Sequence, residues 1–392
     1  MEEAAPADRD IPQPDPANPP PGAEQLRAAF DAAPAYTVGI EDEVMLLDPE
    51  TLELAPVAQA LLDRCQEGEP FKLELPASQL EIAPAPRQSV CELAAELLVL
   101  RRTAQSRAEG LAELAAAGVH PLSRGVGALN RLPRYRETFA QYGAAAARQL
   151  VCALQVHVAV GEAERALAVY NAARSYLPCL AALGANAPIY EGADTGLASV
   201  RPEICRLLPR QGVPPVLESW EELAEAYRWG AAFGSFSPRS WWWELRPHPR
   251  YGTLEFRVPD GQSDVAGAAA LAAVVQALVV WLGERHEDGE ALAAAPAWQI
   301  EENRWSACRQ GVEGAMADLR SGAPRTTREV LHELLDELEP VSRTLRSGAA
   351  LAHARALVER NGAIVQREVF HQGGPQELAR WLVGRFLAPG GG

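Results

Sequence analysis

From Val265 to Leu282 eighteen consecutive residues carry no charge, and this stretch constrains the architecture more than any other. As a helix it is long enough to cross a bilayer. Alanine and glycine dominate it, however, Gln276 lies within it, and Asp264 and Glu284 bound it closely, which suits a protein core better than lipid. A helix that is apolar on all sides has to be surrounded by other elements. A chain of 392 residues, 48% of them hydrophobic, can supply that enclosure.

The balance of 52 acidic against 36 basic residues, net −16, repels phosphodiester backbones and anionic lipid. Neither nucleic acid nor a membrane surface is therefore an expected partner, and cations are. Lys72 is the only lysine, so a phosphate loop built on a glycine-lysine pair is excluded and a nucleotide must be held differently. Cys65, Cys91, Cys152, Cys179, Cys205 and Cys308 are widely spaced and read as reduced thiols. With no basic segment ahead of an apolar stretch at the N-terminus, the expected compartment is the cytoplasm.

Residues 1–34 mix proline, alanine and acidic side chains without an apolar period and are expected to form a disordered leader before a folded unit over 35–388. Val38, Ile40, Val44 and Leu46 then alternate onto one face of a strand, with Glu41 and Glu43 on the other. A second extended stretch, 71–83, is broken by Pro76, and Ser89 with Glu92 reads as a capping box opening a helix to about Gly118. Residues 150–160 form a third strand that places Gln155 and His157 on one face. Strands over 240–246 and 252–258 flank the turn Pro247-His248-Pro249-Arg250. Beyond Asp264 the pattern is helical. Thr326 and Glu329 cap a helix carrying Val330, Leu334, Leu335 and Leu338, which Pro340 interrupts or ends. Strands and helices mix without strict alternation, which predicts an α+β fold with a largely antiparallel sheet faced by helices.

Carboxylates recur on these strands: Glu41 and Glu43, Glu74 and Glu81, and Glu255 beside Arg257. Ionised carboxylates facing a core are costly unless cations or arginines compensate them. Their hard oxygens suit Mg2+ or Mn2+. The same alternation also fits a sheet whose polar face meets solvent. Glu255 and Arg257 share one strand face opposite Leu254, Phe256 and Val258, so they can enter one cavity or form a surface ion pair. His157 reads as a ligand or as a satisfied core histidine, and Trp241-Trp242-Trp243 reads as packing, with one ring able to stack on a ligand. His332-Glu333 lacks the second histidine of a zinc helix, and Gly125-Val126-Gly127 lacks the third glycine of a dinucleotide loop.

In chain order, Val38-Gly-Ile-Glu41-Asp-Glu43, Leu80-Glu81-Ile-Ala83, Gln155-Val-His157-Val, Ala185-Asn186-Ala-Pro188, Gly192-Ala-Asp194-Thr-Gly196, Ser199-Val-Arg201, Arg246-Pro-His248-Pro, Gly252-Thr-Leu-Glu255-Phe-Arg257 and Asn303-Arg304-Trp305 form a series. This series resembles the type 2 glutamate–cysteine ligases, also called carboxylate–amine ligases, from about Thr37 to Phe386. The resemblance implies one catalytic domain with a glutamine-synthetase-like fold, in which a curved, mainly antiparallel sheet has helices packed on one face. It also implies phosphorylation of a carboxylate by ATP, followed by attack of an amine on the acyl phosphate. Glu41, Glu43, Glu74, Glu81, Gln155 and Glu255 are the metal ligands it implies. Arg246, Arg257 and Glu255 are the implied catalytic groups, and Arg201, Arg257, His157, Asn186 and Arg304 the implied binders of nucleotide or substrate.

Several positions depart from the family pattern. Gln155 stands where a histidine is usual, Asn186-Ala-Pro-Ile-Tyr190 replaces Asn-Ser-Pro-Phe-Trp, Glu244 replaces an aspartate, and Pro84 a threonine. These changes put cysteine, and with it glutamate, in question as substrates and leave room for a specialised biosynthetic amide ligase. A non-catalytic nucleotide- or amino-acid-binding homologue and a phosphagen-kinase-like phosphotransferase are the alternatives. The expected partners are small amino-acid and amine substrates, and the resemblance allows a homo-oligomer. Glu41→Gln and Glu255→Gln are both expected to abolish turnover and to leave the fold intact.

Overall fold

A computed structural model describes residues 19–231 and 241–388. Its strands are β1 (Val38–Leu47), β2 (Phe71–Leu73), β3 (Gln79–Ile82), β4 (Glu113–Ala115), β5 (Leu154–Ala159), β6 (Ile189–Tyr190), β7 (Ala193–Asp194), β8 (Leu245–His248), β9 (Thr253–Phe256), β10 (Ala315–Ala317) and β11 (Pro324–Thr326). Seven of them make one sheet in the order β2-β3-β1-β5-β9-β8, with β4 pairing the far end of β1. All of its pairings are antiparallel. The pairs β6–β7 and β10–β11 are separate hairpins.

Alternation along β1 sorts its side chains as the sequence pattern requires. Val38, Ile40, Val44 and Leu46 are buried in the main core, where the helices Val90–Ala108 and Val265–Glu287 pack on the sheet. The uncharged helix Val265–Glu287 is the only one among the described residues long and apolar enough to cross a membrane, and 83% of its apolar window lies buried inside the protein. Its one polar interior residue, Gln276, donates to the carbonyls of Tyr36 and Gln88 at 2.8 and 3.0 Å. On the other face of β1, Met45 and Leu47 join a second cluster with Leu378 and Leu382, so the helix 362–385 covers the sheet beyond Glu43 and leaves the carboxylates uncovered by that cluster.

Asp42 sits on the apolar face of β1, fully buried, and binds fully buried Arg101 through two hydrogen bonds of 2.9 and 3.0 Å. Arg101 also donates to the carbonyls of Gln262 and Phe386, tying β1 to two distant segments. Breaking a buried pair strands the remaining charge. Asp42→Asn should therefore lower unfolding stability by about 3–5 kcal/mol, measured by denaturant titration, while turnover per folded molecule stays near wild type.

Four expectations need correction. Residues 1–18 lie outside the described residues, but Ala23–Ala32 is a helix, not part of a disordered leader. Leu26 and Phe30, four apart, are fully buried, and the Phe30 ring lies 4.7 Å from that of Trp220. The helix presses on the β8–β9 turn: a Cβ at Gly252, where φ is 62°, would stand 2.1 Å from the Ala29 carbonyl oxygen. Next, the helix capped by Ser89 ends at Ala108, and 113–115, expected to be helical, is β4. Gly110 at φ 68° stops the helix, and pairing with β1 then outweighs the helical preference of the alanine-rich run. Finally, Pro340 lies inside the helix Thr327–Thr344 without ending it, and the strand expected over 240–246 is β8 over 245–248, Ser240 lying outside the described residues.

A stability determinant lies near this framework. Burial pushes the His120 imidazole down to about 4, with the Leu52 carbonyl pulling weakly the other way. The unfolded chain then takes up a proton that the folded one refuses as pH falls from about 6.5 to 4, so stability is lost over that window. His120→Asn should remove about 3 kcal/mol of that acid sensitivity. The check is the difference in unfolding free energy between variant and wild type at pH 7 and at pH 4.

Candidate active site

The antiparallel registers gather the strand carboxylates. Lys72 lies opposite Glu81, Glu81 opposite Glu43, Glu41 opposite Gln155, His157 opposite Glu255, and Glu255 opposite Arg246. Residues directly opposite share a sheet face, so side chains scattered over more than two hundred positions, from Glu41 to Glu255, meet on one surface. Glu74, just beyond β2, joins them through the charges it feels from Glu81, Glu43 and Glu41.

Each carboxylate is held differently. Glu43 accepts from the Ala153 N–H and the Gln155 amide, both at 2.6 Å. Burial nevertheless raises it above the ordinary range, with Arg257 opposing. Glu41 rises to about 8 through burial and the neighbouring charges of Glu81 and Glu255. Burial and the same cluster lift Glu74 well above the usual carboxylate range. Glu255 goes the other way: burial would raise it, but the guanidiniums of Arg246 and Arg257 hold it well below that range. Arg246 grips it at 2.6 and 3.0 Å, and Arg257 bonds both Glu255 and the Gln155 carbonyl.

His157 is buried, and burial lowers its basicity. Its Nδ1 lies 3.0 Å from the Thr253 hydroxyl, while its Nε2 has no hydrogen-bond partner and stands 3.9 Å from a Glu41 oxygen. Among the described residues, Glu41, His157 and Glu255 bring one potential ligand atom each to within 4.8 Å of one another. An unpartnered imidazole nitrogen beside carboxylates that repel each other fits a divalent cation. The Thr253 contact turns the free nitrogen toward that place.

Not every expected residue meets here. Gln155 is expected as a metal ligand, but its amide bridges Glu43 and Arg257 with both ends engaged, and His157, expected to bind nucleotide, takes the place beside Glu41 and Glu255. Arg201 is committed to Asp260 at 2.7 Å and to the carbonyls of Arg257, Val258 and Pro259, so it holds the segment after β9 and is not free for phosphate. Asn186 is locked by Asp260, Gly261, Ser263 and Gln366. Arg304 chelates Glu244 at 2.9 and 2.8 Å. These three form a supporting layer in which Asp260 takes hydrogen bonds from Asn186, Ser199 and Arg201.

Asp260 and Lys72 are missing from the sequence-based set. Nothing in the local pattern singles out Asp260. Lys72, however, is the sole lysine and sits two residues from Glu74, a signal that was available. His248 and Tyr251 also border the site, their rings stacked 4.3 Å apart beside His157.

Comparison with known proteins agrees with this architecture. The profile of glutamate–cysteine ligase family 2 matches residues 37–379. A Rubrobacter xylanophilus protein provisionally named glutamate–cysteine ligase 2-3 is 36% identical over 359 residues, covering 86% of this chain and 97% of its own. A Gloeobacter violaceus protein, provisionally named glutamate–cysteine ligase 2, is 34% identical over 354 residues, covering 88% and 94%. In fold, the chain is similar to the glutamate–cysteine ligase of Francisella tularensis in complex with AMP (TM-score 0.63, 13% identity, 89% and 88% covered). It is also similar to a bifunctional glutathione synthetase of Pasteurella multocida (TM-score 0.66, 14% identity, 93% and 53% covered). The fold is thus glutamine-synthetase-like and α+β, and the chain belongs to glutamate–cysteine ligase family 2, an ATP-dependent, amide-forming ligase.

Proposed function

We propose that this enzyme phosphorylates the side-chain carboxylate of glutamate with ATP and joins the resulting acyl phosphate to an amine, cysteine or a related amino compound. The observation that carries this reading is the cluster of Glu41, His157 and Glu255 with Glu43, Glu74 and Glu81 alongside. Mg2+ or Mn2+ held there would neutralise charge on the transferred phosphoryl group. Arg246 and Arg257 keep Glu255 ionised and aligned, so its oxygens stay available as hard donors. Arg257, anchored between Gln155 and Glu255, adds a fixed positive charge at the same face and stabilises negative charge developing on a substrate oxygen. His157 stays neutral, its Nε2 free to donate electrons to a cation.

The altered segment Asn186-Ala-Pro-Ile-Tyr190 supports a changed amine acceptor. Ile189 is fully buried in the cluster with Met45 and Leu47, and the Tyr190 hydroxyl lies near Gly125. ADP release with Mg2+, glutamate and a panel of amines, with products identified by mass spectrometry, tests the reading. Amide formation with one amine is the expected result. ATP binding with no ADP released from any acid and amine pair would overturn it.

A further inference from the structure

Every basic residue in this chain but one is an arginine, and the single lysine, Lys72, lies on the carboxylate face. Its Nζ is 2.5 Å from a Glu81 oxygen and 3.9 Å from a Glu41 oxygen. The other cations at the site cannot leave it: Arg246 is buried and chelates Glu255, and Arg257 is fixed between Glu255 and Gln155. Lys72 differs in both place and chemistry. It stands on the edge strand β2 with 47% of its side chain exposed. A lysine ammonium is also a compact point charge on a flexible stem, whereas a guanidinium is a rigid fork. Beside it, the unpartnered Nε2 of buried His157 faces Glu41.

We propose that Lys72 is an internal cation of this site, pairing with Glu81 beside Glu41 while no divalent cation is bound and exchanging with one when it arrives. The inference rests on the reading that these carboxylates hold a divalent cation, and it adds that the site carries its own competitor. The exchange keeps the acidic face folded without metal. It also weakens the first metal-binding step by the strength of the ion pair that must be broken.

With one lysine in the chain, protein grown on lysine labelled with 13C at the ε-carbon gives a single side-chain resonance. Saturating Mg2+ should shift and narrow it as the ammonium leaves the carboxylates. In calorimetric titrations with Mn2+, Lys72→Met should bind about three- to tenfold more tightly than wild type. Lys72→Arg, which keeps the charge and holds carboxylates with a fork, should bind no more tightly. A lysine resonance unmoved at saturating Mg2+, or Lys72→Met binding Mn2+ with wild-type or weaker affinity, overturns the exchange and leaves the cation site standing. Absence of Mn2+ binding in both wild type and Lys72→Met overturns the cation site and the exchange with it. Should Lys72→Met fail to fold, the resonance of the wild-type protein decides.

Discussion

Glu255→Gln is expected to abolish ATP-dependent turnover, by at least about a thousandfold, and also to damage the fold. The second effect comes from its partners. Glu255 is fully buried between Arg246 and Arg257, and those guanidiniums hold it well below the ordinary carboxylate range against the cost of burial. A neutral amide would leave buried Arg246 and partly buried Arg257 without their counter-ion, a loss of about 3–5 kcal/mol. The sign for pH follows: a carboxylate with a depressed value contributes stability above its unfolded pKa, lost as pH falls below it. Thermal unfolding of wild type and variant at neutral pH checks the size. A variant as stable as wild type would show that Glu255 is not the counter-ion of the arginine pair and would restore the simpler expectation that either glutamate can be removed without structural cost.

Glu41→Gln should give the same loss of turnover with the opposite effect on the metal-free fold. Glu41 sits at about 8 because burial and the charges of Glu81 and Glu255 disfavour its ionised form. A raised value means that the folded protein holds a proton the unfolded chain releases near the ordinary value of 4.5, so metal-free stability falls as pH rises from there through about 8. The amide removes that penalty. The variant should match wild type at pH 4 and exceed it by about 2–4 kcal/mol at pH 8 or above, and its unfolding should lack the response to Mg2+ expected of wild type. Equal stabilities across that range would mean that Glu41 is solvated and not part of a strained acidic face. Taken together, the two glutamates separate a residue that the fold requires from one that the chemistry requires.

Lys72 connects these expectations, because it offsets the charge of Glu81 beside Glu41 where Arg246 and Arg257 offset that of Glu255. Compensation by arginine is permanent. Compensation by a half-exposed lysine can be withdrawn, which places the exchangeable charge on the β2 side of the sheet and the fixed charge on the β8 side.

Much of this was written locally. The period of two in β1 announces both faces of the strand, since a one-residue slip would send Glu41 and Glu43 into the core in place of Val38 and Ile40. The uncharged run 265–282, dominated by alanine and glycine, holding Gln276 and bounded by Asp264 and Glu284, announces a buried helix. The order of short motifs announces the family, and the carboxylates those motifs carry are the ones that converge. In each case the pattern needs only neighbours along the chain to be read.

What remained was decided by partners distant in sequence. Asp42 looks like one more strand carboxylate until Arg101, from a helix fifty-nine residues away, fills the pocket beneath it. Residues 113–115 have helical composition, yet pairing with β1 makes them a strand. Arg201, Asn186 and Arg304 carry the marks of ligand binders, but Asp260, Gln366 and Glu244 use up their hydrogen bonds and turn them into supports. Gln155 is engaged by Glu43 and Arg257 while His157 faces Glu41 and Glu255, because the register sets one between the first pair and the other against Glu255. Alternation and composition report which side chains must be buried or compensated; which charge meets which is set by strand register and helix packing, because electrostatic pairing acts over a few ångströms in space and not over positions in the chain.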